Sequence, residues 1–263
     1  MLPAAEAVPA ARQAARKALA LDSREGDAYF TLGSMVLYFD WNFGAALANL
    51  ERAIVLNPHD TWVRHAYADY LMVTGRYDES LEQVRLGRSF DPTSPLAQSV
   101  VIFHTLATRR YDEVIREGRN ALELFPNMMG AHSAIGEALW KQQRYSEALT
   151  ELQLSFGQDT EGRRVFEEAF RRRGPRAAMK AYADHLAAGA EIDRDEAVTI
   201  AAYYGEAGER DAVFRWLEEA YAGRAPQLLH VPANPSFDAV RDDPRFQELI
   251  RRIGIPGMGA VPH

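Results

Sequence analysis

Few residues of this chain have the type and spacing to do chemistry. His59-Asp60, with His65 a little further on, pairs imidazole with carboxylate, the donor types that hold divalent ions. Both members directly follow Pro58, where a polar turn is expected, and no second His or Asp pair at suitable spacing supports them. The expectation is therefore no metal and no cofactor. There is no cysteine, which removes disulfides, thiolate metal sites and a Cys nucleophile. The sequence contains no phosphate-cradling glycine loop, no His-Glu-x-x-His helix, no calcium loop and no Gly-x-Ser-x-Gly elbow. Gly254, Gly257 and Gly259 lack the flanking strand and helix of a dinucleotide fingerprint and are expected in a frayed tail. Nothing here supports an enzyme.

Composition narrows the class further. Hydrophobic residues make up 47% and charged residues 25%, as in a soluble folded protein rather than a disordered one. With 30 Lys and Arg against 37 Asp and Glu, the net charge of −7 disfavours nucleic acid, whose phosphates need clustered cations. No apolar run approaches the roughly 20 residues of a membrane span, and Met1-Leu2-Pro3-Ala4-Ala5-Glu6 has neither the basic start nor the apolar core of a signal peptide. A cytoplasmic chain without membrane contact is expected.

The elements that must position any functional residue come from a repeat. Pro58, Pro92 and Pro126 stand 34 residues apart, each after an apolar segment, and Arg76-Tyr77, Arg110-Tyr111 and Arg144-Tyr145 recur at the same period. A period of this length means stacked supersecondary units. Helical spacing reads as pairs over 26–58, 61–92, 95–126, 129–160 and 193–225, with a degenerate pair over 161–192 broken at Gly174-Pro175. Small residues such as Gly33 and Ala46 would let paired helices approach closely, Gly75 would end a helix, and Asp78 would cap the next. Glu167 with Arg171 and Glu168 with Arg172 fit a solvated face. Before the pairs, 8–25 reads as a half-repeat whose face at Ala11, Ala15 and Leu19 lacks a mate. The array either starts with a half-repeat cap or is a piece of a longer protein, and self-association through that face is one expectation. After the pairs, 226–256 reads as a cap in which Phe246, Leu249 and Ile250 cover the open end.

These residues resemble the tetratricopeptide repeat, two antiparallel helices in 34 residues. The resemblance implies an all-α, right-handed superhelical solenoid of antiparallel helix pairs with a C-terminal capping helix, here one array over 1–263 with roughly six pairs. The corner Tyr38-Phe39-Asp40-Trp41, one residue longer than the usual turn, is either plugged by Trp41 and Phe43 or presents a partner-binding knob. That corner, the run Trp216-Leu217-Glu218-Glu219-Ala220-Tyr221 and the ending Phe237-Asp238-x-Val240-Arg241-x-Asp243-Pro244-Arg245-Phe246 resemble the C-terminal repeat region of bacterial multidomain signalling proteins. There the repeats follow a winged-helix domain, a nucleotide cyclase or a Ser/Thr kinase.

The same resemblance puts the first helix of each pair on a concave face. In this register the face carries Phe30, Leu37, Trp62, His65, Asp69, Met72, Phe103, Leu106, Glu137 and Trp140. The paired Lys and Asn that grip a terminal carboxylate in some repeat proteins are absent. Apolar and aromatic side chains with a few acids suit a protein segment offering apolar anchors and a basic group. Trp62 and Trp140 are the expected anchors. The implied function is a non-catalytic interaction or sensory-regulatory module; small-molecule sensing in the aromatic groove is the alternative.

Overall fold

The structure, a computed structural model, describes residues 4–189, 192 and 194–257. The expected signal-peptide-free start at residues 1–3, the boundary positions 190, 191 and 193, and the expected tail from 258 onward lie outside the described residues. Within the described residues the chain is all-α with no strand. Its helices are α1 (Ala4–Leu21), α2 (Gly26–Met35), α3 (Phe43–Leu56), α4 (Thr61–Val73), α5 (Tyr77–Phe90), α6 (Pro95–Ala107), α7 (Tyr111–Leu124), α8 (Met129–Lys141), α9 (Tyr145–Ser155), α10 (Thr160–Arg173), α11 (Pro175–Ala187), α12 (Arg194–Ala207), α13 (Arg210–Ala222) and α14 (Pro244–Ile253). Pairs α2/α3, α4/α5, α8/α9, α10/α11 and α12/α13 are packed neighbours. By contact the chain divides into two compact units, residues 1–104 with 253–263, and residues 105–252.

In the first unit the apolar faces of three helices meet at Ala68, Leu81, Val84, Val100 and Val101, with Leu96 against them. Ala46, Leu50 and Ala53 of α3 are fully buried. A Cβ on Gly33 would lie 2.8 Å from Leu50 Cγ, so the α2–α3 contact depends on the missing side chain. The long corner after α2 is absorbed by a π-turn, Val36–Asp40, followed by Trp41 in the left-handed region. One extra residue in a helix is what a π-turn accommodates. Phe43 is buried and Trp41 half-buried, the plugging geometry. Arg12 of α1 ties this corner down, donating to Asp40 Oδ1 at 2.7 Å and to the Met35 carbonyl at 3.2 Å. Ala15, expected on a mateless face, is buried, because α1 packs on α2. Ile255 is also buried, so the expected fraying does not begin at Gly254.

The Arg-Tyr turns recur with one backbone geometry. The residue before each arginine, Gly75, Arg109 and Gln143, has φ of 81°, 59° and 61°. Arg76 and Arg144 then each clamp a glutamate three residues on, Glu79 at 2.8 and 2.6 Å and Glu147 at 2.8 and 2.7 Å. Asp78 is not the cap expected of it: α5 begins at Tyr77 after Arg76, which places Asp78 inside the first turn. There a negative charge still favours the helix dipole.

In the second unit the degenerate pair has a device of its own. Asp159 caps α10 by accepting from Gly162 N–H at 2.8 Å, and it also receives Tyr182 Oη at 3.1 Å and faces His185 Nε2 at 3.2 Å, both from α11. One carboxylate thus starts one helix and holds its partner. Gly174, with φ of 84°, is the sole residue between α10 and α11. Arg172 pairs with Glu168 at 2.9 Å as expected, whereas Arg171 Nε reaches the Glu167 carbonyl instead of its carboxylate. At the end of this unit the 3-10 turns Pro226–His230 and Pro235–Val240 pack on α12, and α14 lies on α13. Phe246, Leu249 and Ile250 are buried there, while Arg245 and Arg252 lie over the Phe214 and Tyr221 rings at 4.1 and 4.0 Å.

Candidate functional site: an acidic cavity in the second unit

The second unit contains a cavity of about 200 Å³ between α8, α9, α11, α12 and the 3-10 segment. Helical spacing puts Ser133, Glu137 and Trp140 on the α8 side of it, and Tyr203 and Glu206, again three apart, on the α12 side. Leu152 and Met179 add apolar lining, and Asn234 and Ser236 add polar lining. Trp140 is held by edge contact with Tyr145 at 5.0 Å and lies 6.1 Å from Phe166. From Phe166 a chain of ring contacts runs through Phe156 and Tyr182 to Tyr203, with centroid separations of 5.4, 4.8 and 4.7 Å. Such aromatic pairs fix ring orientation beyond what burial alone would do, so the cavity wall is preorganised.

Its electrostatics are uneven. Glu206 forms a close ion pair with Lys141, whose Nζ also donates to the Pro235 carbonyl at 2.8 Å and so fastens the 3-10 segment to α8. Lys141 is thus paired with Glu206, and Glu137 feels its charge without a direct contact. Burial pushes the Glu137 carboxyl up to about 7, with the Glu206 charge adding to it and Lys141 and the Ser236 hydroxyl opposing. Glu137 Oε1 is buried without a hydrogen-bond partner. Burial, and then the Glu137 charge, also raise the Tyr203 phenol beyond its usual range. Asp238, which acts on Glu137 from further off, is already paired with Arg109 at 2.7 Å and Arg241 at 2.6 Å.

Of the residues expected on a groove, Glu137 and Trp140 meet in this cavity. Leu106, also of the second unit, is buried in packing. In the first unit Trp62 and Phe103 are exposed at 55% and 44%, and Phe30 is half-buried. Leu37 and Met72 have no exposed surface, so they act in the core and offer nothing to a ligand. Asp69 is buried beside His104, and His65 is half-buried between the Trp62 and His104 rings. The His59-Asp60 pair resolves into structure: Asp60 caps α4 by accepting from Val63 N–H at 2.9 Å, and His59 packs edge-on to Phe90 at 4.8 Å. Sequence reasoning missed Lys141, Tyr203 and Glu206. The available signal was a charged residue, Glu206, in the otherwise apolar α12 stretch Ala201-Ala202-Tyr203-Tyr204-Gly205-Glu206-Ala207.

The tetratricopeptide repeat family model matches residues 42–101. That span holds α3, α4, α5 and the first half of α6, where the period is clearest. Among solved structures, YrrB, described as a TPR protein with an unusual peptide-binding site, is 13% identical, with 92% of this chain and 97% of that one covered and a TM-score of 0.49. PilF of Pseudomonas aeruginosa is 16% identical, with 89% and 94% covered and a TM-score of 0.45. At these values the similarity says nothing of function. No curated protein matches the chain.

Proposed function

We propose that this chain is a non-catalytic binding module that takes a protein segment carrying a basic side chain beside apolar anchors. The observation that carries the reading is the cavity in which Glu206 is paired with Lys141 while the buried Glu137 Oε1 has no hydrogen-bond partner. A guanidinium or ammonium entering there would pair with Glu137, and the Trp140 and Tyr203 rings would cover its aliphatic stem. The repeat match over residues 42–101 supports an interaction role rather than catalysis. No described helix is long and apolar enough to cross a membrane. In a longer signalling protein, occupancy of the cavity would bias an attached effector.

The test is fluorescence anisotropy with paired peptides, one bearing an arginine flanked by leucines and the other citrulline at the same position. A charge-assisted hydrogen bond is worth about 1.5–3 kcal/mol, so citrulline should bind at least about tenfold more weakly, and Glu137→Gln should erase the difference. Equal binding of the two peptides to the wild type would falsify the reading. Saturable binding of free arginine or a small amine, with no gain from the peptide, would favour small-molecule sensing instead.

A further inference from the structure

Away from that cavity, the first unit brings together three side chains that the sequence keeps apart. His65 and Asp69 stand four residues apart on α4, hence on one face, and His104 reaches them from α6. Their ligand atoms all lie within 4.8 Å of one another, with His104 Nε2 3.7 Å from Asp69 Oδ1. Four ligands at the usual 2.0–2.1 Å from a tetrahedral ion are about 3.3 Å apart. The cluster is therefore close to ligating geometry, and small side-chain adjustments would bring the three donors onto one ion.

The proton on His104 is assigned by its other contact. Ser80 Oγ donates its single hydrogen to the Ala68 carbonyl at 2.7 Å and lies 2.6 Å from His104 Nδ1. With that hydrogen committed, Ser80 Oγ can only accept, so Nδ1 carries the imidazole proton. In the neutral ring the Nε2 lone pair then faces the Asp69 carboxylate, two acceptors confronting each other in a site where Asp69 and His104 are almost wholly buried. A proton on Nε2 or a metal ion between the two groups suits this placement, and the nearby His65 imidazole adds a third donor of the metal-ligating type. A ring nitrogen held by an outer hydrogen bond while the other faces a carboxylate and a second imidazole is the arrangement that supports a metal ligand. We propose that His65, Asp69 and His104 bind a divalent transition ion of the zinc class, with Ser80 as the positioning residue. Two imidazoles and one carboxylate suit such an ion better than magnesium or calcium, which prefer all-oxygen sets. Three protein ligands leave a coordination position for water or a further donor.

The experiment uses the untagged full chain, stripped with chelator and titrated with Co²⁺ and then Zn²⁺. The expected result is one Co²⁺ per chain with the visible d–d absorption of a four- or five-coordinate ion, displaced by Zn²⁺. His65→Gln changes a half-buried residue, so it should keep its helicity while binding about a hundredfold or more weakly; Ser80→Ala should weaken binding about 10–100-fold. His59→Gln lies outside the cluster and should bind as the wild type does. No stoichiometric Co²⁺ in the wild type, or equal affinity in folded His65→Gln, would overturn the assignment. So would loss of binding in His59→Gln.

Discussion

Glu137 is the residue on which the functional account turns, and its titration can be followed. Its folded pKa, about 7, lies above the ordinary carboxylate value because burial and Glu206 disfavour the charge. The folded state therefore holds a proton that the unfolded state has lost between about pH 4.5 and 7. Stability from this group is fully present below the lower value and is lost as pH rises through 7. Glu137→Gln should remove that slope and leave the protein more stable at pH 8, by on the order of 3 kcal/mol; urea unfolding at pH 5 and pH 8 checks both statements. A second residue-scale prediction concerns Gln143. Its φ of 61° occupies the region where glycine is free of the Cβ clash. Gln143→Gly should raise the urea midpoint by an amount equivalent to about 0.5–1 kcal/mol, provided the turn matches the one Gly75 already makes. Periodicity alone placed Glu137 and Trp140 on one face. It could not show that Leu37 and Met72 point into packing, because a helix face does not reveal how far a neighbouring helix reaches over it.

At the scale of elements, the helix pairs were legible because their signals are local: a period of 34, proline after the second helix, a small residue at the crossing. The pair over 161–192 was harder because its stabilising device is a side-chain network instead of a signature. Asp159 is held below the usual carboxylate range; burial opposes this, and the bonds from Gly162 N–H, Tyr182 and His185 outweigh it. Its contribution is therefore present at neutral pH and fades as pH falls through the folded value. Asp159→Ala removes a cap and the tie to α11 together. The cap alone is worth about 0.5–2 kcal/mol, and amide exchange of α10 and α11 should accelerate more than that of α8 and α9. Uniform protection across all four helices would contradict the assigned role. The π-turn at Val36–Asp40 was visible in sequence only as one residue too many. Its tie to Arg12 of α1 was not, since the two are 28 positions apart.

For the molecule as a whole, the net charge of −7 draws cations without naming one, and screening limits how much an exposed acid can do. Selectivity has to come from a buried site, and in the second unit the cavity lined by Glu137 and Glu206 is built that way. The sequence held half of it, Glu137 and Trp140 on α8. The half on α12 becomes a neighbour only through tertiary packing. The most direct measurement is a carbon-detected NMR titration of the Glu137 carboxyl, free and saturated with the arginine peptide. Binding of a cation favours the charged carboxylate, so the midpoint near pH 7 in the free protein should fall below the ordinary carboxylate value in the complex. A midpoint that peptide saturation leaves unmoved would contradict the account, because the bound segment would then have placed no positive charge beside Glu137.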